Sequence, residues 1–406
     1  MDFEQSGRSK EAVRRMWSLM ESYIFPAEQV WADYISKHGS HAYPPVMEEL
    51  KDAARREGLW NLFLPEFGGY SNVEYAPIAE ISGWSPVIAP EALNCQAPDT
   101  GNMEVLARFG TDEQKKMWLE PLLEGTIRSA FAMTEPDVAS SDATNISTSI
   151  SRRSDGFVIN GHKWWITGAA DERCKFFLVV GRTNDNGGRH RQHSVVIVPR
   201  NTEGVEVVRH LPTFGFQSQH GHSEIRFNDV HVPSSFLVGT EGDGFRIVQA
   251  RLGPGRIHHA MRALGMAERS LKLMIERARS RSAFGHLLVD HESVQDLIAR
   301  SRMEIDQARL YVLHTAWRVD QGGAMSAAGD VAGIKVVAPN VAVRVIDRAI
   351  EVFGAEGLGD DTPLAYFLAW ARALRVADGP DAVHRRTIAR LEITRNVNFH
   401  GVPHGE

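Results

Sequence analysis

Three short runs hold residue types that can do chemistry on a bound ligand. The first is Phe131-Ala132-Met133-Thr134-Glu135-Pro136, continuing to Ser140-Ser141-Asp142. It is rich in small and hydroxylated side chains, so its backbone N–H groups can approach an anion or a carbonyl closely. The second is Gly161-His162-Lys163-Trp164-Trp165-Ile166-Thr167. Between them, Phe157 to His162 reads as a strand entering an Asn160-Gly161 turn, with a second strand leaving it. Strand alternation would send Trp164 and Trp165 to opposite faces, one into the core and one onto a ligand. A third run, Arg375-Val376-Ala377-Asp378-Gly379-Pro380-Asp381, sets a carboxylate in a Gly-Pro turn. Read alone, Asp378 ends one helix and Asp381 caps the next.

The elements that must position these runs follow from periodicity. Residues 10–130 read as helices: Ala12, Met16, Met20 and Ile24 recur at near-helical spacing, and Glu48 to Gly58 is a further helix stopped by its glycine. Leu64 to Gly69 reads as a loop, and another helix follows to about Ser82. Thr111 and Gln114 form the two halves of a capping box. From Phe131 to about Gly239 the signal turns to short β-rich runs: Lys175 to Val180, Ser194 to Val198, Val205 to Val208 and Ile225 to Phe227. Turns such as Asn184-Asp185-Asn186-Gly187 separate them, which suggests a barrel or sandwich. No G-x-G-x-x-G follows a strand, so a Rossmann domain has no support. From Gly244 onward long apolar stripes return, as in Ile257, Met261 and Leu264, with Pro339 placed to kink one of the helices. Such helices pack as an antiparallel bundle.

Composition excludes several classes. The chain has 406 residues, 43% hydrophobic and 24% charged, with a net charge of −6, which gives no sign of a nucleic-acid or membrane partner. Two cysteines are too few for a disulfide framework or a zinc site, and no metal is expected. No apolar run approaches a membrane span, and the polar start lacks a secretory core, so the expected location is cytoplasmic.

The Thr-Glu-Pro loop followed by the Trp-Ile-Thr strand resembles the acyl-CoA dehydrogenase family of FAD flavoproteins. Leu64 to Tyr70 and Gly110 to Gly125 resemble its N-terminal domain. Arg251 to His259 together with Ala377 to His384 look most like the branch of human family members ten and eleven. The resemblance implies an N-terminal all-α domain (1–130), a middle β-barrel or sandwich domain (131–239) and a C-terminal four-helix-bundle domain (240–406). It implies oxidation of an acyl-CoA to the trans-2-enoyl-CoA, with electrons passed to an electron-transferring flavoprotein, in a homodimer or homotetramer. Asp378 falls where the family usually carries its glutamate base, and the alternative base position falls at Gly255, which has no carboxylate. Arg256, Ser141 and Gly379 correspond to substrate-side residues. Phe131, Met133, Thr134, Ser140, Trp165, Thr167 and Pro380 correspond to the flavin side. Arg281 and Phe284 correspond to a pair that contacts a neighbour's FAD, His291 just downstream aligns as a further cofactor residue, and Glu351, Phe353 and Gly354 correspond to a Gln-x-Phe-Gly-Gly stretch, with Glu in place of Gln. Two rival readings remain: an oxidase of the same fold, acting on acyl-CoA or a nitroalkane, and a DNA-binding flavoprotein. The second would need the basic runs Arg152-Arg153, Arg189 to Arg191 and Arg385-Arg386 to form one stripe.

Overall fold

The computed structural model describes residues 4–183, 188, 190–217 and 220–395. The turn expected at Asn184 to Gly187, and Arg189, lie outside them. The chain divides into two compact units, a larger one of residues 5–78 and 85–255 and a smaller one built mainly from 79–84 and 256–395.

The larger unit begins with helices α1 (Gly7–Leu19), α2 (Phe25–His38) and α3 (Val46–Arg56). The Ser6 side chain caps α1 by accepting from the Ser9 N–H at 3.3 Å. Ala12, Met16, Met20 and Ile24 form the buried stripe that the spacing predicts, all fully excluded from solvent. Leu64 to Gly69 is not all loop. It holds a one-turn helix, α4 (Pro65–Gly68), because Pro65 sits at a helix start where its missing N–H costs nothing. α5 (Asn72–Ser82), α6 (Ala89–Ala92), α7 (Asp99–Phe109), α8 (Asp112–Gln114) and α9 (Glu120–Glu124) follow. The Thr111–Gln114 capping box forms as expected. Gln114 also donates to the carbonyls of Ser235 and Leu237 at 2.7 and 2.9 Å, tying these helices to the sheet.

That sheet has eight strands: β1 (Arg128–Ala132), β2 (Ser149–Arg152), β3 (Gly156–Thr167), β4 (Cys174–Arg182), β5 (His193–Pro199), β6 (Val205–His210), β7 (His222–Pro233) and β8 (Leu237–Val238). Their order is β6-β7-β3-β2-β4-β5-β8, with β1 parallel to β4. The Asn160-Gly161 hairpin is a misreading: β3 runs straight through both residues and pairs with β7 on either side. Asn160 instead marks a register shift, exchanging two hydrogen bonds of 2.9 and 2.8 Å with Asp229, which takes the positive φ. Gly161 is needed for space, since a Cβ there would lie 2.3 Å from the Thr148 hydroxyl. One face of the sheet closes over Phe157, Phe177, Phe227, Ile159 and Ile225.

α10 (Gly244–Ser280) carries the chain into the smaller unit, whose other long helices are α11 (Glu292–Ser326), α12 (Ala328–Phe353), α13 (Leu364–Leu374) and α14 (Asp381–Thr394). α12 lies against α11, α13 and α14. It continues through Pro339 to Phe353, whereas Gly323 in α11 leaves helical geometry at φ 78°. A two-stranded hairpin, β9 (Ser282–Ala283) and β10 (His286–Leu287), joins α10 to α11. Among the described residues no helix is long and apolar enough to cross a membrane.

Candidate active site

In the larger unit the loop after β1 is tied to β3 by one buried ion pair. Lys163 is fully buried and donates to the Met133 carbonyl (2.9 Å), the Glu135 carboxylate (2.8 Å) and the Val180 carbonyl (2.8 Å). Glu135 also accepts from the Ser147 and Thr148 N–H groups, each at 2.8 Å. Burial pushes the Glu135 carboxyl up, but Lys163 and these donors outweigh it and hold the group down at about 2. Burial lowers Lys163 to about 8 against the pull of Glu135. Thr134 accepts the Trp164 N–H at 3.0 Å. Ser140 turns inward on the loop itself, accepting the Glu135 N–H at 2.9 Å, while Ser141 is exposed.

The expected alternation of the two indoles fails. The register of β3 shifts between Lys163 and Ile166, and Trp165 takes φ 54°. Trp164 is half-buried and Trp165 is 41% exposed, so neither enters the core. A strand bulge re-aims side chains in this way. Trp165 lies 5.5 Å from the His222 ring, and the Thr167 hydroxyl is 2.9 Å from His222 Nδ1. Burial, helped by His220, lowers His222 to about 4, so the imidazole is neutral at pH 7. In the tautomer that carries the proton on Nδ1, the ring donates to Thr167 and the threonine proton is left for a ligand. Phe131, half-buried on β1, carries the Arg251 guanidinium 4.2 Å above its ring. An exposed indole at a bulge, a half-buried methionine and a hydroxyl held by a neutral imidazole fit a flat heterocycle with a polar edge, as a flavin is.

In the smaller unit Asp378 lies in the turn between α13 and α14. It does not end a helix, since α13 stops at Leu374, and Asp381 does not cap α14, where Pro380 holds the cap position. The Asp381 carboxylate is instead taken by Arg375 at 2.9 Å and Asn340 at 3.1 Å. Asp378 has φ 53° and the following Gly379 φ 103°. A Cβ on Gly379 would sit 2.8 Å from His384 Nε2, so the turn needs glycine for space as well as conformation. Its carbonyls are held from three elements. Arg256 on α10 donates to the Asp378 carbonyl at 3.2 Å, His384 on α14 lies 3.1 Å from the same oxygen, and Lys335 on α12 reaches the Gly379 carbonyl at 3.5 Å. His259, one turn beyond Arg256, places Nε2 3.6 Å from the Asp378 carboxylate. Burial lowers Arg256, opposed by Asp378; it lowers Lys335 to about 8; and, with Arg256 and Lys335, it lowers His384 to about 4. The Arg256 Nε is buried with no hydrogen-bond partner among the described residues. Such a group is expensive unless something else satisfies it.

The remaining expected residues lie elsewhere in the smaller unit. Arg281 is exposed, and Phe284, at φ 51° on the hairpin tip, is 96% exposed. His291 lies 3.1 Å from the Ala283 carbonyl and so braces that hairpin. Glu351 and Gly354 are exposed at the end of α12, and Phe353 lies under the Arg277 guanidinium at 5.3 Å. Pro380 is half-buried beside Gly379. The reading of the sequence missed Lys163, His222, His259, Lys335 and His384. Only His259 had a local signal, because its spacing of three from Arg256 puts both on one helix face. Arg152 of the proposed basic stripe pairs with Glu241 at 2.7 Å. Among the described residues no group of three or more His, Cys, Asp or Glu could hold a metal ion.

Comparison with known proteins covers almost the whole chain. The models "Acyl-CoA dehydrogenase, N-terminal domain", "middle domain" and "C-terminal domain" match residues 10–126, 130–230 and 242–392 in that order. A Mycobacterium tuberculosis protein named "Probable acyl-CoA dehydrogenase FadE2" is 56% identical over 97% of this chain and 98% of its own. Acyl-CoA dehydrogenase family member 11 of Gallus gallus is 51% identical over 96% of this chain but 51% of its own length, so the chain spans about half of that relative. Among solved structures, butyryl-CoA dehydrogenase from Megasphaera elsdenii superposes with a TM-score of 0.82 at 27% identity, over 97% of this chain and 100% of that one.

Proposed function

This chain belongs to the acyl-CoA dehydrogenase family and is an oxidoreductase acting on acyl-CoA, and from that premise we propose an FAD-dependent conversion of an acyl-CoA thioester to the trans-2-enoyl-CoA with Asp378 as the base. The observation that carries this is the Asp378 turn. The carboxylate sits on a residue held at positive φ, whose backbone carbonyl is bound by Arg256 of α10 and His384 of α14, so the turn that presents it is fixed from two helices. General-base catalysis needs that fixed placement, because proton transfer depends on reach and alignment.

Each residue then has a task. Asp378 takes the C2 proton onto its carboxylate. Its backbone N–H supports the thioester carbonyl oxygen, where charge develops as the proton leaves. Arg256 keeps the turn in place through its bond to the Asp378 carbonyl. FAD, when bound, supplies the hydride acceptor at C3, which no protein side chain can be. Phe131, Met133, Thr134, Trp165 and Thr167 would hold it in the larger unit, with Thr167 donating a hydrogen bond and the Lys163–Glu135 pair keeping the loop in register. Electrons would pass to an electron-transferring flavoprotein. Arg281 and Phe284, exposed on the hairpin, would serve the FAD of a second copy in a dimer or tetramer.

Stopped-flow bleaching of the flavin by an acyl-CoA panel tests the assignment. Asp378→Asn should retain FAD and bind acyl-CoA yet bleach more than ~10²-fold slower, the lower end for loss of a general base. Bleaching within a few-fold of the parent would remove Asp378 from the role. Rapid peroxide release in air without a protein acceptor would move the reading to an oxidase.

A further inference from the structure

His259 places Nε2 3.6 Å from Oδ2 of the Asp378 carboxylate. The two arrive there from positions 119 residues apart, and each keeps some access to solvent, 20% for His259 and 27% for Asp378. The other basic groups at this turn are engaged differently. Arg256 and His384 address the Asp378 carbonyl, and Lys335 addresses the carbonyls of Leu374 and Gly379. Those three hydrogen-bond to backbone carbonyls and feel the Asp378 charge from there, while His259 lies beside the carboxylate itself.

We propose that His259 is a positioning residue for Asp378 and the route by which the proton leaves it. This rests on Asp378 being the base. In the resting protein the imidazole holds the carboxylate oxygen in one rotamer. On reaction, the C2–H bond breaks, the proton forms an O–H bond on Asp378, and the bonding pair stays on the acyl chain, whose C3 hydride goes to the oxidant that the family reaction already uses. The O–H proton then passes to Nε2 of His259, the ring taking part in its unprotonated form, which restores the carboxylate and leaves an imidazolium. That cation loses its proton to water at its exposed edge. Aspartate is one methylene shorter than glutamate, so a carboxylate on this turn moves less, and a fixed acceptor beside it substitutes for side-chain motion. The charged and titratable groups around the pair are Arg256, His258 and Arg262 on α10, Lys335 on α12, Arg375 in the turn, and Asp381 and His384 on α14. The cations among them favour the carboxylate and disfavour an imidazolium, which speeds release of the proton to water.

Two measurements on the FAD-loaded protein test this. The first is the titration of His259 followed by its ring carbon and proton resonances, assigned with His259→Gln. Loss of the carboxylate in Asp378→Asn should lower the His259 pKa by about one unit, the effect of a neighbouring charge. An unchanged titration would show that the two groups are not coupled and would overturn the proposal. The second is the pH profile of flavin bleaching and of steady turnover in His259→Gln and His259→Asn. We expect unchanged FAD content and acyl-CoA binding, a bleaching profile displaced by about one pH unit, and turnover slowed about tenfold. If Asp378→Asn slows bleaching but neither His259 variant displaces the profile, the dyad fails and the base assignment stands. If Asp378→Asn bleaches normally, the base assignment itself has failed.

Discussion

Replacing Lys163 by methionine should unlock the loop that carries Met133 and Thr134. The lysine is fully buried and gives three hydrogen bonds, two of them to that loop. Removing one partner of a buried ion pair costs about 3–5 kcal/mol, because the other charge is left without compensation. The two groups pull in opposite directions: holding Glu135 down favours the folded state at pH 7, while burial of Lys163 disfavours it. The pair fixes the register of the loop on β3. Glu135→Gln keeps an acceptor for the Ser147 and Thr148 N–H groups but strands the ammonium. Each single change should cost about 3 kcal/mol, and the double variant should cost less than their sum by at least about 2 kcal/mol. Hydrogen exchange across residues 133–140, read with urea unfolding at pH 7, measures both local opening and global stability. Singles within about 1 kcal/mol of the parent, or strictly additive effects, would refute the reasoning.

Three further outcomes follow from the same geometry. Stability should fall on acidification in two stages. His222 and His384 are lowered to about 4, so the unfolded chain takes their protons first and stability declines as pH drops from 6.5 toward 4; Glu135, lowered to about 2, adds its loss below 4.5. A urea midpoint that is flat from pH 7 to 4 would contradict this. Thr167→Val should shift the flavin absorption spectrum and reduction potential in folded, FAD-loaded protein, and an unchanged spectrum would make Thr167 a core residue only. Arg281→Ala should lower retained FAD several-fold more than it slows bleaching in the molecules that keep it, with sedimentation of the parent giving at least a dimer. An active, fully flavinated monomer would exclude that arrangement.

Much of this protein was legible in its residues, and the divisions fall along a physical line. Helices with a sustained stripe, such as Ala12 to Ile24, and caps such as Thr111 with Gln114 depend on neighbours within one or two turns, so spacing alone determined them. The apolar strands β4, β5 and β7 were visible for the same reason. β1 was not, because Arg128-Ser129-Ala130-Phe131-Ala132 has little strand character and is extended only by pairing with β4. Asn160-Gly161 carries a strong hairpin signal, yet Thr148 packs so tightly on Gly161 that the glycine is spent on space and the chain runs on. Trp165 was expected to alternate with Trp164, but one extra residue in β3 redirected it, and a bulge depends on the register of the partner strand. At the candidate base, sequence resemblance pointed to Asp378 and Arg256. His259, Lys335 and His384 come to that turn from three different helices, and apart from the spacing of His259 from Arg256 no periodic pattern reports their contacts. Periodicity is a property of a segment by itself, so the residues alone determined the elements; which side chains face one carboxylate depends on how those elements pack, and only the tertiary structure decided that.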